Sequence, residues 1–468
     1  MALALTTDLG KFVAGVRYRD IPKEAFTTIH MAFADTIGCG IAGGGDPAPQ
    51  LLATMLSPAG GEAAILGTDR RTTARDAAWI NGTAMHALDY DDVAQRGGHP
   101  SAVLVPAILA EAEALGASGE QMMLAYAAGF EVLAELARRD ADSHHDKGWH
   151  PTSVFGAMSA AAACASLRKL DARKAAMAIG IAASQSSGLV SNFGSMTKPF
   201  HAGLAAHAGI VSARLAALGF TSAPDAVEHE PGLLTAVSPT GRMDLDSPLR
   251  AGVEWQICGS NRIGIKKYPA CYCVHRSLDG VLDLLQKTPV APDDVKHVSV
   301  SYSPRNVTIL RNHHPQTGLE AKFSIEFAIA AALLVQRAGL AELSDRFVQR
   351  ADVQALMKRV TATADTRLHP TRPGYSVCDQ VVIELRDGRT LDTGPISQIR
   401  GDADAPLKPE QLWAKFEDCL RVGPPWLSAR PLFDALMTLQ QVPQARDLVE
   451  LLTPAAARPR PSAVKKTG

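Results

Sequence analysis

Two stretches of this chain, residues 152–167 (TSVFGAMSAAAACASL) and 172–187 (ARKAAMAIGIAASQSS), consist mostly of alanine, glycine, serine and methionine. Helices lined by such small side chains approach closely and fold only where several of them share one tightly packed interior. Val154, Phe155, Met158 and Leu167 interrupt the first stretch and supply the anchors that a core requires, which argues against a low-complexity alanine tract. The same pattern begins upstream. Behind Pro22, a first-turn proline, Ala25, Ile29, Met31, Phe33 and Ile37 recur at helical spacing until Gly38 and Gly40. Residues 73–87 and 101–115 repeat it, and Ser118 followed by Glu120 and Gln121 caps a further helix over 120–139.

The pattern changes after about residue 260. Residues 296–302 (KHVSVSY) place Val298, Val300 and Tyr302 on one face, the period of a half-buried strand. Residues 381–385 and 390–391 flank Asp387 and Gly388, a hairpin signal. Helical patterns occupy 322–337 and 352–361 between them, and return at 409–419, 431–440 and 446–452. The expected fold is mainly α: a large all-α helical domain from residues 1–262 plus 400–453, with a smaller α+β lid domain inserted at 263–399. The Pro- and Lys/Arg-rich tail, 454–468, reads as disordered.

Charge excludes some partners. Lys+Arg total 47 against Asp+Glu 48, so no basic excess exists to neutralise a nucleic-acid backbone. Seven scattered cysteines without a CxxC pair read as reduced thiols, with no iron–sulfur cluster and no structural metal. The N-terminus lacks a charged leader segment, and apolar runs such as 327–335 fall short of the roughly 18 residues that span a bilayer. The expectation is a soluble, cytoplasmic protein with no membrane partner.

Polar knots interrupt the apolar sequence at four places. In the first, His86 is followed by Asp89, Asp91 and Asp92, then by Arg96, His99 and Ser101. Carboxylates crowded at a helix C-terminus oppose its dipole and need cations nearby. They either cap a solvated turn, or Asp89 orients His99 in a cleft. His150 stands at a helix entrance, before Pro151 and Thr152, as a capping histidine or a reactive one. Lys198 opens a helix over 203–218 behind a Thr197 cap and a first-turn Pro199. A cation there is misplaced for stability but well placed for an anion, unless it merely reaches solvent. Lys266 leads a fourth knot, KKYPACYCVH. Neither a nucleophile elbow, a P-loop nor a dinucleotide fingerprint accompanies these groups; Gly43, Gly44 and Gly45 follow a helix rather than a strand. The chemistry they suggest is acid/base work on a polyanionic small molecule.

The segments HALDYDDVAQRGGHPSAVLVPAILAEAEALGASG, GWHPTSVFGAMSAAAACASL, SMTKPFHAGLAAHAGIVSARLAALGF, KKYPACYCVH and AKFSIEF, in this order, resemble the MmgE/PrpD family. That family includes 2-methylcitrate dehydratases, cis-aconitate decarboxylases and an iminodisuccinate epimerase. The resemblance implies a helical domain with an inserted lid, a homodimer, a small polycarboxylate substrate, and neither metal nor organic cofactor. It implies catalytic roles for Asp89, His99, His150 and Lys198, and substrate contacts from Lys266, Cys271, His275 and Phe327. Val93, Cys271 and Phe327 stand where the decarboxylase branch has threonine, histidine and tyrosine. Loss of that phenol argues against decarboxylation; a dehydratase, the commonest activity that the resemblance implies, is expected first and an epimerase second. A catalytically silent polycarboxylate-binding protein is the alternative of another class.

Overall fold

The computed structural model describes residues 4–94, 96–140, 142–259, 262–370 and 374–454, so the expected disordered tail lies, but for Pro454, outside the described residues. The fold is mainly α. Its centre is formed by the helices Ala74–Ala87, Ser101–Leu115, Gly119–Arg138, Gly156–Leu167 and Thr197–Ala217, which pack on one another. The small residues do what their size allows: a Cβ placed on Gly203 would lie 2.2 Å from the Trp79 carbonyl oxygen, and one on Gly82 would lie 2.8 Å from the Gly203 Cα. Only glycine permits that crossing. Larger side chains, among them Phe33, Tyr126, Phe130, Phe416 and Phe433, fill a second interior beside it. Helices Pro409–Arg421 and Ala429–Met437 come back from the far end of the chain to cover Lys23–Gly43.

The strands expected after residue 260 belong to a four-stranded sheet. Its order is Val360–Ala364, Val295–Tyr302, Gln380–Leu385, Thr390–Asp392; the first pair is parallel and the others antiparallel. Gly388, with φ 91°, makes the hairpin turn, and Asp387 Oδ1 accepts the Arg389 N–H at 3.0 Å. Helices His275–Lys287 and Ile325–Val335 pack with this sheet around Val298, Val300, Ile329, Val381 and Ile383. No helix among the described residues is long and apolar enough to cross a membrane.

Several boundaries differ from expectation for local reasons. Residues 352–361 divide into a helix, Ala351–Met357, and the strand Val360–Ala364. The 322–337 pattern breaks at Ser324, whose hydroxyl caps the helix through the Phe327 N–H at 3.2 Å. The 203–218 helix begins earlier, at Thr197; Thr197 is therefore its first residue and Met196 its cap. Ser118 caps as expected, in a reciprocal pair with Gln121.

Candidate active site

The helix Ala74–Ala87 ends in the acid-rich knot, and the structure supplies the cations that this helix end demands. Asp89 sits at φ 51°, a left-handed conformation that aspartate tolerates better than most residues. The turn exposes the last carbonyls of the helix, and three buried lysines from distant segments cap this run. Lys322 Nζ donates to Ala87 O at 2.7 Å, Lys266 Nζ to Asp89 O at 2.9 Å, and Lys415 Nζ to Tyr90 O at 2.7 Å. Lys415 also donates to Lys266 O at 2.8 Å and pairs with Asp35 at 2.5 Å, tying the knot to the returning C-terminal helix. Burial pushes Asp35 up to about 6, against the pull of Lys415. Paired backbone bonds between Val93 and Gly264, at 2.9 and 2.8 Å, bring Lys266 alongside.

A fourth lysine completes the group. Lys198, 4% exposed, donates to Asp89 Oδ1 at 2.6 Å and to His86 Nε2 at 2.8 Å. The ammonium of Lys266 stands 3.1 Å from the same Asp89 oxygen. Burial alone would raise the Asp89 carboxyl, but these two cations outweigh it and hold the group well below the carboxylate range. Lys198 is thus a buried member of a charge cluster rather than a solvent-facing lysine.

The imidazoles are fixed by their Nδ1 bonds. Asp91 accepts from His86 Nδ1 at 2.9 Å and from His99 Nδ1 at 3.1 Å, and the Asp92 carbonyl lies 2.7 Å from His99 Nδ1. Two acceptors at Nδ1 require the proton to be there, so His99 Nε2 carries a lone pair, 3.9 Å from Asp89 Oδ1. Burial depresses His99 and drives His86 down to about 3, against the opposing pull of the Asp91 carboxylate; His150 is depressed by burial and then by Lys198. In all three the shift favours the neutral imidazole. Asp92 differs from its neighbours: burial raises it well above the ordinary value, and it is held by the Ser101 hydroxyl and N–H.

Asp89, His99, His150, Lys198, Lys266 and Cys271 share the wall of one cavity of about 580 Å³, between the central helices and the segment carrying the four-stranded sheet. His150 precedes the short helix Pro151–Val154; its ring lies 6.4 Å from that of His99 and 4.9 Å from Phe193. Two expected substrate contacts lie behind the wall. His275 is fully buried between Tyr268 and Tyr272 with Nε2 3.3 Å from Ala270 O, and Phe327 packs on Phe347 in the core. His86 and Asp91 were noted from sequence only as members of the acid-rich knot, and Lys322 only within the segment AKFSIEF; none of the three was expected at the site.

Asp89, Asp91, His86 and His99 also present metal-type donor atoms within 4.8 Å of one another. Two ammonium groups already stand against Asp89, so a divalent ion there would meet like charge at contact distance.

Comparison with known proteins agrees with this architecture. Residues 7–246 match the MmgE/PrpD N-terminal domain and residues 268–426 the MmgE/PrpD C-terminal domain. The chain belongs to the MmgE/PrpD family. Among curated relatives, cis-aconitate decarboxylase of Homo sapiens is 27% identical over 388 residues, covering 80% of this chain and 79% of that protein. Cis-aconitate decarboxylase of Aspergillus terreus is 23% identical over 475 residues, covering 96% of each. A cis-aconitate decarboxylase-like protein of Aspergillus oryzae is 25% identical over 439 residues, covering 88% of this chain and 89% of that protein. Of the three positions where the sequence departs from the decarboxylase pattern, Val93 and Cys271 line the cavity and Phe327 does not. The missing phenol at 327 therefore removes no group from the cavity wall, and the sequence argument against decarboxylation loses its physical basis.

Proposed function

We propose that this chain is a lyase for a small di- or tricarboxylic acid, and that it removes water from a β-hydroxy acid of the 2-methylcitrate type. The observation that carries this reading is His99: neutral, locked at Nδ1, with an Nε2 lone pair on a cavity wall beside two ammonium groups. His99 Nε2 takes the proton α to a substrate carboxylate. The C–H electrons move into that carboxylate, giving a dianionic enolate beside Lys198 and Lys266, where one well-placed charged donor lowers the barrier by roughly 3–4 kcal/mol. The enolate collapses to the alkene as the β-hydroxyl leaves, and the proton held on His99 departs with it as water, directly or through His150. The net change is loss of one water with imidazole restored.

Decarboxylation is the second reading, supported by the names of relatives that match over most of the chain. It would use the same lysines to hold the dienolate left by departing CO2, but it also needs a proton donor, and His99 and His150 are both depressed. An epimerase would return the proton from His150 on the opposite face. The deciding experiment incubates the purified chain with 2-methylcitrate, citrate, cis-aconitate and iminodisuccinate in deuterated water, following alkene, CO2 and deuterium incorporation. Alkene from a hydroxy acid without CO2 is expected. Release of CO2 from cis-aconitate without any dehydration would replace this reading with the second. Binding without exchange at any carbon would leave only a polycarboxylate-binding protein.

A further inference from the structure

The cavity has a second cationic pole, and it is not used by the chemistry above. Arg305 lines the wall beyond Phe193: that ring lies 5.3 Å from Lys198 Nζ on one side and 6.0 Å from the His145 ring on the other. The Arg305 guanidinium is held by the Ser143 hydroxyl and His145 Nδ1, the latter at 3.3 Å, and lies 5.2 Å from the Tyr375 ring centroid. Among the described residues no carboxylate stands within 4.0 Å of it, and its buried Nε has no hydrogen-bond partner. The cavity's other charges are differently placed. Asp89 has two lysines, Asp379 has Arg276 at 3.7 Å, Asp142 has Arg242 at 2.6 Å, Asp140 stands 3.8 Å from His144 Nε2, Asp402 accepts the Ala403 N–H at 2.7 Å, and Arg96 and Asp146 are exposed to solvent. A fork of donors held on a cavity wall without its own anion is matched to a ligand carboxylate, which it can bind bidentately.

We propose that Arg305, positioned by Ser143 and His145, is a specificity-determining subsite for the carboxylate of the substrate most remote from the reacting carbon. It selects acids with a third carboxylate over two-carboxylate acids. This rests on the polycarboxylate reading of the site, so its test must be able to fail separately. The probes are tricarballylate, which lacks a hydroxyl to lose, and succinate; calorimetry on the full chain gives both dissociation constants for wild type, Arg305→Gln and Arg305→Lys. Wild type should prefer tricarballylate. Arg305→Gln should weaken tricarballylate about tenfold or more and succinate less than threefold, and Arg305→Lys should recover part of the difference, as loss of one charge-assisted contact predicts. Thermal unfolding of each variant checks that the fold is retained. Equal weakening of both probes, or no weakening of either, overturns the subsite while leaving the polycarboxylate reading intact. Failure of wild type to bind either acid overturns both.

Discussion

Replacing Lys198 by methionine removes an ammonium and keeps most of the apolar stem. Judged from sequence, the change relieves a cation at a helix N-terminus and should stabilise slightly, by about 0.3–1 kcal/mol. The structure reverses that sign. Lys198 is buried with its Nζ 2.6 Å from Asp89 Oδ1, and stripping one partner from a buried ion pair costs about 3–5 kcal/mol. Lys266 remains 3.1 Å from the same oxygen, so Asp89 is not abandoned and the cost falls toward the lower end. With dipole relief subtracted, the expected net loss is about 2–3 kcal/mol at pH 7.

The pH dependence provides an internal check. Asp89 has a folded-state pKa held below its unfolded value of about 3.9, so its pairing contributes fully above that pH and is lost as pH falls toward the folded value. The stability gap between wild type and Lys198→Met should therefore be constant from about pH 5 to 8 and narrow below about pH 4. Urea unfolding at several pH values measures it, and steady-state kinetics on the same preparations should show kcat reduced by about 10²–10³. An unchanged or raised unfolding midpoint at pH 7 would refute the buried-pair argument. A normal kcat in a folded variant would remove Lys198 from the chemistry.

Three further outcomes follow from the same geometry. Asp91→Asn leaves one acceptor oxygen for the two Nδ1–H groups of His86 and His99 and sets an NH2 donor against the other, so kcat should fall about 10²–10⁴ with KM little changed, and Asp91→Glu should restore part of it; equal losses in both variants would mark a structural role. His99 acts unprotonated and burial depresses it, so the acid limb of kcat/KM should have its midpoint below pH 6.5; a midpoint above that value would assign the limb to another group. Gly203→Ala drives a methyl group against the Trp79 carbonyl and should cost about 1–3 kcal/mol in denaturant unfolding, whereas an unchanged midpoint would show that the helix crossing can open.

What could be read from sequence depended on how far apart the interacting residues lie. Helix periodicity and the Ser118 cap are properties of adjacent turns, and they were legible. The strand Val360–Ala364 was not: its partner, Val295–Tyr302, is distant in the chain, and the run before it continues at helical spacing. His275 shows a related limit. It was expected to contact substrate, yet tertiary packing places it between two tyrosines behind the cavity.

The site shows the same division more sharply. Carboxylates crowded at a helix C-terminus state an electrostatic demand that is visible in seven residues of sequence, from His86 to Asp92. The supply is invisible there, because it comes from Lys198, Lys266, Lys322 and Lys415, the last of them 325 positions from the carbonyl it caps. Lys322 and Lys415 taken alone read as ordinary surface residues, and the misplaced charge of Lys198 and the basic pair led by Lys266 do not say which carboxylate they meet. Only folding reveals that four cations converge on one helix end, and that the Asp89 carboxylate and the Ala87, Asp89 and Tyr90 carbonyls hold them there before any substrate arrives. Such fixed charge needs little reorganisation when a dianionic enolate forms beside Lys198 and Lys266, so the interactions that stabilise the knot also prepare it for carboxylate chemistry.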